Sequence, residues 1–131
     1  MINLGLGLIN KDITLAGIFG YILSPLAWLM GIPWVDAHKF GDLLGTQVMI
    51  NEFVAYAKLG SYAGEMTARS SILATYALCG FCNLSSIGIQ IGGISALVPE
   101  RRGDLARLGL RAMTAGAFAT WTTCCVAGIL I

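Results

Sequence analysis

Leu43-Leu44-Gly45-Thr46-Gln47-Val48-Met49-Ile50-Asn51-Glu52-Phe53-Val54-Ala55-Tyr56-Ala57 is an apolar run that holds an amide and a carboxylate side by side, Asn51 and Glu52. Its length, about 15 residues, falls short of the ~20 that an ordinary membrane span needs. A charge at membrane depth costs at least about 2.5–3.5 kcal/mol on the mildest insertion scale, so Glu52 does not face lipid. It faces protein, a cavity, a bound polar molecule or interfacial water. A hydrogen-bonding strut and a functional carboxylate both fit that position.

Composition supplies the membrane that this reading presupposes. The 131 residues are 56% hydrophobic and 11% charged, with a mean hydropathy of +0.77, whereas a soluble domain carries about 25% charged residues. The class is therefore an all-α integral membrane protein with several passes. A net charge of +1 gives no basis for a nucleic-acid partner. Cys79 and Cys82 have CxxC spacing but no second ligand pair, so they read as small buried apolar residues rather than a metal or redox site. A single histidine and the lack of any paired nucleophile and base argue against an enzyme.

Upstream of the run, Val35 to Gly45 carries Asp36, His38, Lys39 and Asp42 and reads as an amphipathic half-helix ending near Leu44-Gly45. Gly45-Thr46 permits a reversal. Asn51-Glu52 then opens a second half-helix, where exposed N–H groups and the helix dipole favour a carboxylate. Residues 35–58 are thus expected to form a re-entrant helical hairpin that returns to the side it came from. His38 has no second histidine to pair with and reads as a solvated turn residue. Ile13 to Ile32 is uncharged over about 20 residues, one span. Pro25 kinks it, which membrane helices tolerate when neighbours satisfy the freed carbonyl. Trp28 and Trp34 suit an interfacial belt. Residues 1–10 are too short to span and read as the end of a preceding helix.

Downstream, Lys58 to Arg69 is a polar connection. Ser70 to Pro99 is uncharged over about 30 residues, long for one span, and polar at its centre through Gly80, Asn83, Ser85, Ser86 and Gly88. A span broken in the middle, over 67–98, accounts for both features, since unwound backbone at mid-membrane survives only where it lines a cavity or packs in protein. Asn83 and Ser86 share a face if helix resumes there; substrate contact and interhelical hydrogen bonding both fit them. Gly88 and Gly92 form a small-xxx-small face expected to pack closely on another helix. Arg101-Arg102 and Arg107 mark a basic loop, which the positive-inside rule places in the cytoplasm. Residues 104–131 form the final span, leaving the C-terminus external.

These residues together resemble the concentrative nucleoside transporter family. Asn51-Glu52-Phe53-Val54-Ala55-Tyr56, preceded by Gly45, is similar to the family signature (G/A)-x-K-x-x-x-N-E-F-V-A-(Y/M/F), with Gln47 at the lysine position. Further likeness runs through Thr75 to Gly93, Val98-Pro99-Glu100-Arg101-Arg102, Asp104 to Gly109, and Ser24-Pro25-Leu26-Ala27-Trp28-Leu29-Met30-Gly31. It covers nearly the whole chain but only part of the family's length, which is roughly three times greater, with two inverted repeats.

The resemblance implies a C-terminal portion of an ion-coupled nucleoside symporter of the plasma (inner) membrane, containing the second hairpin and second broken helix. By motif match, Glu52 and Asn83 bind ribose hydroxyls, Ser86 lies beside them, Phe81 packs on the nucleoside and Asn51 belongs to the same substrate-binding set. A missing N-terminal half is expected to supply the nucleobase contacts and the site of the coupling ion, sodium or proton. No organic cofactor is implied, and a homotrimer is. A small membrane structural or assembly subunit that kept the fold without transport is the alternative. Gln47 is expected to remove a cation from the hairpin tip.

Overall fold

A computed structural model describes residues 15–131, and within them the regular structure is entirely helical. The expectation for residues 1–10 lies outside the described residues, as does the first part of the expected 13–32 span. Helix α1, Leu15–Leu29, is apolar throughout with Pro25 inside it. Ser24 Oγ donates to Gly20 O at 2.7 Å, a bond back to the preceding turn. The helix ends at Gly31, whose φ of +92° suits only glycine. There the Ile32 N–H reaches Ala27 O at 3.2 Å and the Gly31 N–H reaches Trp28 O at 2.9 Å, the paired bonds of a Schellman stop. Pro33 follows and cannot continue the helix.

Helix α2, Trp34–Met49, is the centre of the molecule, with an unbroken buried stretch from Phe40 to Gln47. It crosses α1 at two glycines. A Cβ on Gly41 would stand 2.4 Å from Gly20 O, and one on Gly20 3.1 Å from the Asp42 backbone. Gly41→Ala should therefore push the two helices apart and cost about 1–3 kcal/mol, the range for overpacking. The expected result is a lower temperature of heat-induced aggregation for the purified protein; unchanged heat resistance would count against this crossing.

The chain does not reverse at Gly45-Thr46. Helix α2 continues to Met49, Gly45 has no positive φ, and Thr46 Oγ1 donates to Asp42 O at 2.8 Å within the helix. The turn comes at Ile50 and Asn51, where the Asn51 side chain accepts from the Val54 N–H at 2.9 Å and caps helix α3, Glu52–Ser61. An asparagine able to satisfy a new helix start decides the turn; glycine only permits one. Helix α3 packs back on α2 through the wholly buried Ala55. Asp42 accepts from Lys58 Nζ at 2.5 Å and from the Tyr62 hydroxyl at 2.7 Å, tying the two helices at their open end. His38 is not in a turn: it lies within α2, exposed, stacked on Tyr21 with ring centroids 4.2 Å apart.

Thr67 caps helix α4, Ala68–Ala77, and also donates to Asp36 Oδ2 from its hydroxyl at 2.7 Å and its backbone N–H at 3.1 Å. Helix stops at Ala77 and resumes as α5, Leu84–Leu97. A 3-10 turn, Pro99–Arg101, leads straight into α6, Arg102–Leu130. No loop separates the arginines from the last helix, which starts before the expected residue 104. Its 29 residues reach about 43 Å at ~1.5 Å per residue, longer than the ~30 Å hydrocarbon core. Arg101 pairs with Asp104 at 3.1 Å in its exposed first turn. Among the described residues, Pro99–Leu130 is the helix long and apolar enough to cross a membrane by itself.

Helix α6 packs on α4 and α5, but not at Gly88 and Gly92, where an added Cβ would meet nothing among the described residues. The close contacts fall at Gly109, against Ile87, and at Gly80, against Thr120. Small-residue spacing marks a face able to pack; which face is used depends on neighbours that the spacing does not name. The apolar core joins Ala27, Ile32, Phe40, Leu43, Leu44 and Leu73, while α5 holds no buried residue.

Candidate ribose-type binding site

Two helices begin beside each other. Asn51 caps α3 and Asn83 caps α5, and the two starts meet through side chains, Asn83 on Glu52, where the hairpin meets the interruption between α4 and α5. Their free N–H groups make such ends electropositive. Glu52 occupies the first helical position of α3, half-buried, and its Oε2 accepts from Asn83 Nδ2 at 2.7 Å.

The orientation of the Asn83 amide follows from its partners. Its Oδ1 accepts from the Ser86 N–H at 2.8 Å, and a backbone N–H can only donate. Its Nδ2 meets a carboxylate, which when ionised can only accept. The Ser85 and Ser86 hydroxyls lie 2.7 and 2.9 Å from the same Oδ1. Asn83 is 1% exposed and firmly held. What remains for a ligand is the second Nδ2 hydrogen, the Ser86 hydroxyl oxygen, and Glu52 Oε1, which has no partner among the described residues. An ionised carboxylate can take hydrogen bonds from two hydroxyls at once, and charge-assisted bonds are about twice as strong as neutral ones.

Of the five residues singled out in sequence, Glu52, Asn83 and Ser86 come together. Phe81 is 75% exposed and stands on the rim of a cavity of about 350 Å³ between α5 and α6, walled also by Asn83, Ser86, Ile87, Gln90 and Met113. Asn51 makes no side-chain bond to the cluster among the described residues; its Oδ1 caps α3. Two participants escaped the sequence reading. Ser85 Oγ lies 3.0 Å from Ile50 O as well as near Asn83, spanning the hairpin turn and the α5 start; only its position next to Ser86 hinted at this. Gln47, in the last turn of α2 beside the hairpin turn, is 0% exposed, its Nε2 donating to Gly80 O at 2.8 Å and Leu78 O at 3.3 Å. An amide isolated in an apolar run was its signal. Among the described residues no group of three or more His, Cys, Asp or Glu side chains is placed to hold a metal.

A sequence model of the family described as "Na+ dependent nucleoside transporter C-terminus" matches residues 1–128. The chain is 45% identical over 121 residues to the uncharacterized transporter YutK of Bacillus subtilis, covering 92% of this chain and 30% of that protein. It is 45% identical over 128 residues to sodium/nucleoside cotransporter 1 of Mus musculus, covering 86% of this chain and 20% of that protein. The fold superposes on the solved structure of CNTnw in an inward-facing substrate-bound state with a TM-score of 0.90 and 41% identity, over 98% of this chain and 32% of that one. The chain thus spans about a third or less of the relatives it matches.

Proposed function

The chain belongs to the Na+-dependent nucleoside transporter family, and from that premise we propose that it supplies the ribose-recognition groups of an ion-coupled nucleoside symporter. The observation that carries this is the Glu52–Asn83 bond at 2.7 Å, which sets a carboxylate with an unused oxygen against a held amide at two adjoining helix starts. A ribose presents neighbouring hydroxyl donors and acceptors, the complement of that set. Phe81 offers an exposed ring beside it for the nucleoside to pack on.

On this reading α2 and α3 are a re-entrant hairpin over 35–58, and α4 and α5 are the halves of a broken membrane helix over 67–98. Helix interruptions facing a site are the usual architecture of transporter binding sites at the midplane. Nucleobase contacts and the site for the coupling ion, sodium, belong to a region of the transporter outside these residues, and the assembled protein is a homotrimer in the plasma (inner) membrane. The strongly exposed apolar side chains Ile89, Leu97 and Ile129 face lipid or those other parts.

Competition tests the site. Uptake of the labelled ribonucleoside that the intact transporter accepts is measured against its unlabelled form and its 2′-deoxy, 3′-deoxy and dideoxy analogues. The dideoxy analogue should compete at least about tenfold less well, because buried polar groups are left unpaired. Equal competition across the series would remove ribose from the proposal.

Orientation has its own test. The basic start of α6 supports a cytoplasmic Arg101-Arg102 and an external C-terminus. Gly103 has open space around it, so Gly103→Cys is tolerated in a background without the native cysteines. An impermeant maleimide should label that position only after the cells are permeabilised. Labelling in intact cells would reverse the topology.

A further inference from the structure

We infer that Gln47 is a positioning residue for the Glu52–Asn83 pair, fixing the end of α4 to the hairpin so that amide and carboxylate meet. The inference rests on the ribose-site reading above.

The break between α4 and α5 is a length of backbone whose carbonyls have lost their helical partners, and buried carbonyls left unpaired are costly. Gln47, from the last turns of α2, supplies donors to two of them, Leu78 O and Gly80 O, and its Nε2 also lies 3.5 Å from Cys82 Sγ. The carbonyls face the negative end of the α4 dipole, where a donor is most favourable. From the other side α6 closes on the same backbone: a Cβ on Gly80 would lie 2.3 Å from Thr120 Oγ1. The break is therefore held between an amide and a wall.

Gln47 and Glu52 lie on the same hairpin, and the carbonyls and Asn83 lie on the same break. Three bridges join the two segments: the Gln47 bonds, the Glu52–Asn83 bond and the Ser85 hydroxyl on Ile50 O. Gln47 itself is fully buried, and neither it nor its carbonyl partners line the cavity. Its removal frees the break to slide against the hairpin, and the second bridge, whose groups ribose uses, loses its geometry. The amide orientation is forced, because only nitrogen can serve two carbonyls; Oε1 is then left buried with no partner among the described residues. The unpaired Oε1 is the cost of the donor bonds that Nε2 makes.

The test measures KM, maximal rate and membrane abundance of the intact transporter for a ribonucleoside and its dideoxy analogue. Gln47→Met keeps length and apolarity but donates nothing. It should raise KM for the ribonucleoside about tenfold, within the up to ~100-fold that small displacements at a binding site can cost. KM for the dideoxy analogue and abundance should stay within about twofold of the parent. Gln47→Lys keeps donors on a flexible stem one bond longer and should hold the ribonucleoside KM near that of the parent. If Gln47→Met does not reach the membrane, Gln47→Asn, which keeps the amide but shortens it, is judged by the same criterion. Parental KM in these donor-less or shortened variants, or equal losses for both substrates, overturns the positioning role. Glu52→Gln is run alongside. If it discriminates between the substrates while Gln47→Met does not, only the positioning role falls. If Glu52→Gln itself does not discriminate, the ribose site falls and takes this inference with it.

Discussion

Glu52→Gln in the intact transporter is expected to cut apparent affinity for ribonucleosides by roughly 10- to 150-fold while leaving the protein in the membrane. Glutamine keeps the size and one acceptor oxygen. To go on accepting from Asn83 Nδ2, which stands 2.7 Å from Glu52 Oε2, that oxygen must turn towards Asn83. The amide nitrogen then faces the ligand where an acceptor had been. Loss of a charge-assisted hydrogen bond costs about 1.5–3 kcal/mol, and ~1.4 kcal/mol is tenfold, which gives the stated range. A dideoxy analogue never used the carboxylate, so its uptake should change little. Paired uptake of the two substrates, normalised to membrane protein, is the measurement. Equal losses for both, or disappearance of the protein, would make Glu52 a strut between α3 and α5 and leave the ribose to other groups.

How much of this was readable in the sequence depends on whether the deciding interaction is local. The pairing of Asn51 with Glu52 announced a helix start inside an apolar run, and a cap is a bond between residues three apart, as Asn51 to Val54 is. Asn83 and the serines after it marked the break, read as residues sharing a helix face; the same local bond makes Asn83 the cap of α5. Where a choice among local options rests with distant residues, the reading went astray. Gly45-Thr46 could turn but stays helical, because α2 buries Gly45 and Thr46 in the core. Gly88 and Gly92 have the spacing of a packing face, yet Gly109 and Gly41 are where helices press together. Gln47 stood out as a departure from a motif, but its partners Leu78 and Gly80 lie on another helix end and left no periodic trace near it. From the residues alone the candidate site was legible as two separate halves, which the family resemblance joined; the bonds of the junction, through Ser85, Gln47 and the Glu52–Asn83 pair, were not legible.

Asp42→Ala is expected to have the largest effect on folding, and through a contact invisible to periodicity. Asp42 is 7% exposed, and its Oδ2 takes both Lys58 Nζ at 2.5 Å and the Tyr62 hydroxyl at 2.7 Å. Burial, and then this hydrogen bond, raises the Tyr62 phenol above its ordinary range, so it remains a donor at any physiological pH. Alanine strands both partners at once. A buried ion pair as a whole contributes little net stability, but removing one member leaves an uncompensated charge and costs about 3–5 kcal/mol. Lys58 is about a third exposed and can recover some hydration, which places the expected loss near the lower end, about 3 kcal/mol. Against the 5–15 kcal/mol that holds a typical domain together, that is enough to deplete the protein from the membrane. Asp42→Asn separates the two contacts. Its carbonyl still accepts from Tyr62, and Lys58 loses only its counter-charge, so abundance should recover in part. The double change Asp42→Asn with Lys58→Met, which removes the orphan charge, should recover further. Abundance by immunoblot and heat resistance in detergent rank the three variants, and an Asp42→Ala protein as abundant and as heat-resistant as the parent would mean that the open end of the hairpin is held by the Lys39–Glu65 pair and the Asp36–Thr67 bonds instead.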